Sequence, residues 1–313
     1  MIVIVCPGQG SQTPGFLAPW LELPGLRNQL TALSDAAEVD LVTHGTTSDE
    51  DTIKDTAVAQ PLLVGAGLIA LRALGGTGEG GDAGSPAGTG ALAGHSVGEI
   101  TAAAAAGVLS ETDAMRFVAQ RGRAMAQASA ATPTGMSAVL GGDPDEVLDA
   151  IERHDLTPAN VNGAGQVVAA GALDALAAFA ADPPARARVI PLKVAGAFHT
   201  HFMQPAVGEL RDAWSDHDVS DPGVTLVSNR DGAVVTDGRD VLDRLVAQVS
   251  NPVRWDLCME RFTDLGVTAI IELPPAGTLV GLAKRALKGV ELLALKTPDD
   301  LDAARTLIKE HSA

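Results

Sequence analysis

Cysteine is scarce in this 313-residue chain: only Cys6 and Cys258, far apart and each inside an apolar run. That supply excludes a disulfide framework and points to buried thiols in a reducing, cytoplasmic setting. Positive charge is also short, with 22 Lys and Arg against 39 Asp and Glu and a net charge of −17. No Lys/Arg-rich stretch offsets the deficit, which argues against broad contact with nucleic acid. An anionic substrate must therefore meet locally placed cations. Long apolar runs are missing as well. The N-terminal MIVIVCPGQG has no basic lead and its apolar run ends at Pro7. No later run approaches the ~18 to 20 unbroken residues of a membrane span, so neither a secretory leader nor a membrane helix is expected.

What is present suffices for a large core, since 46% of the residues are hydrophobic. Residues 2–6, IVIVC, are β-branched and stop at Pro7-Gly8, the pattern of a buried parallel strand. Apolar residues recur at helical spacing over 59–74. Residues 75–90 are half glycine but lack a following Gly-Lys-Ser/Thr, which predicts a flexible surface loop and not a phosphate loop. The SETD at 110–113 resembles a capping box opening the next helix. From about 135 the elements shorten to a β-α-β-β-α-β order, which predicts a ferredoxin-like subdomain over 127–193. Residues 1–126 and 194–313 then form the larger α/β domain, with further strands in GVTLVSN and VTAIIEL and a helix closed by Gly266.

The chemistry centres on Gly94-His95-Ser96-Val97-Gly98, a G-x-S-x-G between a strand and a helix of small residues. There the glycines permit a sharp turn, and the helix N-terminus directs N–H groups at charge developing beside Ser96. The bland alternative is a Gly-Ser bend that packs helix on strand. A serine hydroxyl needs a base. His199, in VAGAFHTHFMQPA, follows a strand-like run and a small-residue turn. His201 would face the other way in an extended segment, and His95 abuts the serine as a supporting residue. A carboxylate third member is not evident. PGQGSQ at 7–12 would need glycine at Thr13 to make a dinucleotide fingerprint, so its glycines and Gln9 are better read as lining a site beside Ser96. Arg121 and Arg123 lie on the next helix, either as a solvated face or, if one points inward, as a clamp for a carboxylate.

Taken in order, PGQGSQ, AQPLL, GHSVGE, QRGRAM, GAFH and QVSNPVRW resemble the malonyl-CoA:acyl carrier protein transacylase family over nearly the whole chain. The resemblance implies a large hydrolase-like α/β domain with a parallel-sheet core and an inserted ferredoxin-like subdomain. It implies Ser96 as nucleophile, His199 as base, and the backbone carbonyl of Gln248 orienting the histidine. Gln9 and the backbone of Val97 correspond to the oxyanion hole, and Arg121 to the ligand of the malonyl carboxylate. Gln60, Phe198 and His95 stand nearby in the substrate site. Malonyl-CoA is then the donor and an acidic acyl carrier protein the acceptor, with no resident cofactor or metal. The basic clusters offered to that partner are Arg186, Arg188 and Lys193, and Lys284, Arg285 and Lys288. Two departures stand out: Ala197-Phe198 precedes the histidine where many free-standing members have Pro-Ser, and ELPPAG at 272–277 replaces the usual Glu-x-Gly-Pro-Gly. The rival reading is a serine thioesterase or hydrolase built on the same Ser-His pair, which would have no need of Arg121.

Overall fold

A computed structural model describes residues 1–76, 78 and 81–312. The apolar run Ile2–Cys6 forms strand β1, buried along its whole length. Helices α1 (Leu26–Ala37), α2 (Leu41–Thr46), α3 (Glu50–Lys54) and α4 (Thr56–Ala73) follow it. Strand β2 (Ala91–Gly94) then leads through the serine turn into α5 (Gly98–Ala105) and α6 (Glu111–Ala131). Residues 134–191 run β3 (Thr134–Gly141), α7 (Pro144–Arg153), β4 (Thr157–Gly163), β5 (Gln166–Ala172), α8 (Leu173–Ala181) and β6 (Ala187–Pro191). After them come α9 (Gln204–Trp214), β7 (Thr225–Val227), β8 (Val234–Val235), α10 (Gly238–Gln248), β9 (Val253–Arg254) and α11 (Trp255–Asp264). The chain closes with β10 (Ala269–Glu272), α12 (Thr278–Ala286), β11 (Glu291–Ala294) and α13 (Leu301–His311).

The first sheet has the order β11-β10-β1-β2-β7-β8. All its pairings are parallel except β7 with β8. A parallel sheet is covered on both faces, which is why β1, β2 and β10 read as unbroken apolar segments without polar alternation. The register Cys6↔Gly94, Ala93↔Val227 and Val5↔Glu272 brings the carboxyl ends of four strands to one edge. Sites in open α/β sheets gather at that edge.

The second sheet, β6-β3-β5-β4-β9, is antiparallel through its first four strands. Helices α7 and α8 cover one face through a cluster that includes Val139, Ile151, Ala169 and Phe179. The opposite face contributes Met136, Val168 and Ala170 to the main core. Two features differ from the sequence reading. The expected boundary at 126/127 falls inside α6, a continuous helix whose 21 residues make a chain break there costly. The fifth strand, β9, pairs in parallel with β4 from far along the chain and carries only two residues, too few for any periodic signal.

The glycine-rich stretch is also less free than its composition suggests. Residues 77, 79 and 80 lie outside the described part. Beyond them, the Asp82 carboxylate accepts from the Glu111 amide at 3.0 Å, Ala83 N donates to Glu111 Oε1 at 2.8 Å and Ser85 N donates to Ala105 O at 3.0 Å. Residues 82–85 are thus tied to α5 and α6 by hydrogen bonds that a composition argument does not register. Of the capping box read in SETD only one half forms among the described residues: Ser110 Oγ accepts from Asp113 N at 3.0 Å, while the Asp113 carboxylate accepts from Ser110 Oγ at 2.6 Å in place of the Ser110 amide. Helix α4 is long and apolar enough to cross a membrane by length and composition, yet it is mostly buried inside the fold. Gly65 and Gly67 let Leu41 and Thr101 pack against its backbone.

Candidate active site

Ser96 stands between the last residue of β2 and the first turn of α5, in the left-handed region at φ 53°. A non-glycine residue held there costs on the order of 1–3 kcal/mol, which the surroundings must offset. They do so by close backbone approach. A Cβ on Gly98 would collide with the carbonyls of Cys6 and Pro7, and one on Gly94 with the backbone of Gly98 and Glu99. The G-x-S-x-G spacing is therefore a packing requirement of this turn, and the bland bend reading fails because the hydroxyl has a partner.

That partner is His199, whose Nε2 lies 2.8 Å from Ser96 Oγ. Its Nδ1 lies 2.9 Å from the Gln248 carbonyl. A carbonyl only accepts, so Nδ1 carries the proton and Nε2 is left to accept from the serine. No carboxylate is required to set the tautomer. His199 is itself left-handed at φ 62°, anchored by its amide to Val249 O at 3.1 Å. Among the alternatives, His201 is exposed and stacks on Phe202. The His95 ring diverges from the serine, its Nε2 lying 2.9 Å from Asn162 Oδ1 on β4 and its plane edge-on to Trp255.

Arg121 is the inward-facing arginine of its helix, 1% exposed, whereas Arg123 is exposed. Its Nη1 donates to Gln60 Oε1 at 2.5 Å and its Nη2 to Gln248 Oε1 at 2.7 Å, while Nη2 also stands 3.5 Å from Ser96 Oγ. The buried Nε has no partner among the described residues. Burial pulls the guanidinium down to about 10, so it stays charged at neutral pH. Gln9 turns its side chain away, donating to Lys54 O at 3.2 Å. The backbone N–H groups of Gln9 and Val97, the latter next to Ser96 in the chain, make no hydrogen bond among the described residues. Phe198 is buried immediately before His199. The ELPPAG segment turns so that Glu272 accepts from the amides of Gly277, Leu279 and Val280 at 2.9–3.0 Å, capping α12.

Sequence reasoning gave Gln248 only a carbonyl; its side chain turns out to join Arg121, Ser96 and Glu99. Glu99, Asn162 and Asn229 were missed. Glu99 had a visible signal, a lone acid ahead of a run of alanines, where a charged side chain has no obvious solvent face. Among the described residues no group of three or more His, Cys, Asp or Glu side chains could hold a metal ion.

The electrostatics make a pH prediction. Burial first, and the Arg121 charge second, pull the His199 imidazole from 6.5 down to about 3. The resting base is therefore neutral over the working range. Labelling of Ser96 by a fluorophosphonate should stay level from about pH 8 to about pH 5; an acid limb centred on 6 to 7 would mean that His199 is solvated. Stability, unlike labelling, falls with pH over this range. The unfolded chain gains a proton as pH falls below about 6.5 while the folded His199 does not, so this residue erodes stability between 6.5 and 3.

Residues 3–309 match the model of the acyl transferase domain family. The chain is 53% identical over 309 residues to a malonyl CoA-acyl carrier protein transacylase of Mycobacterium tuberculosis, covering 98% of this chain and 100% of the relative. It superposes on the crystal structure of MCAT from Mycobacterium tuberculosis with a TM-score of 0.90 and 52% identity, covering 97% of this chain and 99% of the other. A malonyl-transacylase solved in complex with its type II PKS acyl-carrier protein matches at a TM-score of 0.87 and 29% identity, over 98% of this chain and 99% of that one.

Proposed function

The chain belongs to the acyl transferase domain family, and we propose that it moves the malonyl group of malonyl-CoA to the phosphopantetheine thiol of an acyl carrier protein through a malonyl ester on Ser96. The observation that carries this reading is the buried Arg121 guanidinium 3.5 Å from the hydroxyl that His199 accepts from. A hydrolase of neutral esters would have no use for that cation, whereas a donor whose far end is a carboxylate gives it a partner.

The half-reactions follow from the proton positions. His199 Nε2 takes the Ser96 proton as Oγ attacks the thioester carbon, and the oxyanion collects hydrogen bonds from Gln9 N and Val97 N. The C–S bond breaks and the imidazolium returns the proton to the departing CoA sulfur. Acid-base symmetry runs the second half in reverse: His199 deprotonates the carrier thiol, which attacks the Ser96 ester and regenerates the hydroxyl. The donor carboxylate also helps the base, because pairing with Arg121 removes the charge that disfavours the imidazolium. Phe198, buried immediately before His199, is assigned the space that a substituent on the malonyl α-carbon would need. Intact-mass analysis after mixing with malonyl-CoA tests the donor. A malonyl adduct that Ser96→Ala abolishes, and that carrier protein discharges faster than water does, supports transfer; rapid loss without carrier favours the hydrolase.

The carrier approaches along the second sheet. Arg285 Nη2 donates to Gln166 Oε1 at 3.2 Å, Gln166 pairs with Leu140, and Leu140 pairs with Arg188. Arg188 and Arg285, one from each basic cluster, therefore share one end of the sheet, whereas Lys193 lies past the other end of β6. Arg188 and the exposed Ile190 lie on the face opposite α7 and α8, the face that carries Met136 and Val168 into the core. A lip of cations with an apolar neighbour suits an acidic partner. Replacing both Arg188 and Arg285 by Glu should raise the KM for carrier protein by roughly tenfold or more at low salt, with less effect at high salt and none on the carrier-free malonyl adduct. An unchanged carrier KM would place docking elsewhere.

A further inference from the structure

Glu99 lies in the first turn of α5, three residues beyond Ser96, and is only 6% exposed. It touches neither the hydroxyl nor the guanidinium. Its Oε1 accepts from Asn229 N at 2.5 Å and its Oε2 from Gln248 Nε2 at 2.5 Å. The same Nε2 donates to the Ser96 carbonyl at 3.0 Å, while Gln248 Oε1 accepts from Arg121 Nη2 at 2.7 Å. Every direction in this chain is forced. A guanidinium only donates, a carboxylate and a carbonyl only accept, and an amide offers one end of each kind.

We propose that Glu99 is a positioning residue for the acyl donor: by holding the Gln248 amide in one orientation, it aims Arg121 at the space beside Ser96. The inference rests on the carboxylate-bearing donor argued above. Without an acceptor at position 99, the Gln248 NH2 group keeps only the Ser96 carbonyl as a partner, and the amide loses the stronger, charge-assisted of the two bonds that hold it away from Arg121. Turned over, it sets donor against donor, and the guanidinium must swing toward Gln60 alone. The Ser-His pair keeps its own anchors through this change: His199 is held by the Gln248 backbone carbonyl, and the Ser96 carbonyl, on losing Gln248 Nε2, still accepts from the Glu99 backbone N–H at 3.0 Å. Loss of Glu99 should therefore harm donors with a carboxylate and spare those without one.

The test compares wild type, Glu99→Gln and Glu99→Asp with malonyl-CoA and acetyl-CoA as competing donors, alongside fluorophosphonate labelling of Ser96. Glu99→Gln keeps the shape and supplies an amide NH2 where an acceptor stood. It should lower kcat/KM for malonyl transfer by roughly 10- to 100-fold, mostly through KM, the scale of loss expected when a clamp is displaced by about 1 Å. Acetyl transfer and labelling should change by less than about threefold, as expected when the reacting pair is untouched. Glu99→Asp keeps a carboxylate but cannot reach both Asn229 and Gln248, so its malonyl-to-acetyl ratio should fall between the two. A purely packing role would depress both donors together. Should Glu99→Gln not fold, Glu99→Asp decides. An unchanged ratio in the folded variant overturns the inference, whereas a wild type that takes up no malonyl group overturns the donor assignment instead.

Discussion

Ser96→Ala should abolish malonyl-adduct formation and carrier loading while leaving the unfolding temperature near that of wild type. The Oγ makes its hydrogen bond to His199 and only a long contact to Arg121, so its removal opens no large cavity. His199→Ala should cost at least the roughly 10²- to 10⁴-fold that a general base contributes. The two losses should not add. Serine without its base is a poor nucleophile, and the double variant should retain about the activity of the worse single one. Full additivity of the two losses would show that the residues act independently and would sink the shared proton transfer. Residual activity above a tenth of wild type in His199→Ala would point to another base, although His201 is exposed and His95 is held by Asn162.

Arg121→Ala should exchange selectivity for indifference. A neutral acetyl group leaves the buried guanidinium without a partner at the donor end, and an unpaired buried charge costs ~2 to 5 kcal/mol. At about 1.4 kcal/mol per factor of ten, the wild type should prefer malonyl over acetyl by at least ~30-fold, and the variant should lose most of that preference. Malonyl transfer should fall steeply and acetyl transfer hold or rise. The variant also strips a donor from Gln60 and from Gln248, so its unfolding temperature should drop. For that reason the donor ratio is the measurement to make, since it is independent of the fraction folded. A ratio equal to wild type would exclude Arg121 as the clamp, and Arg123 offers no substitute because it is exposed.

Local signals carried far in this chain because the elements around Ser96 are specified by short-range sterics. A continuous β-branched run at 2–6, glycines at 94 and 98, and an N-cap serine at 110 each obey rules set by a few neighbouring residues. The strand, the elbow and the helix start were legible for that reason. His199 was legible as a candidate only, since nothing local separates it from His201. What separates them is the bond from Nδ1 to Gln248 O, across 49 positions of chain.

The sequence by itself determined which residues could do the chemistry: a serine in a strained turn, histidines that could serve it, arginines that could meet a carboxylate, and six ordered motifs that tied them to one family. Tertiary structure decided which of them do meet. Parallel register in the first sheet brings Cys6 beside Gly94, and α6 packs so that Arg121 faces the serine while Arg123 faces water. The Gln248 side chain, read only as a carbonyl, becomes the junction of Ser96, Arg121 and Glu99, three groups on two other helices and a turn. No period or spacing encodes such a junction. A buried polar group is satisfied by whichever donors and acceptors the packed core places within about 3 Å, and that proximity exists only once the helices have docked.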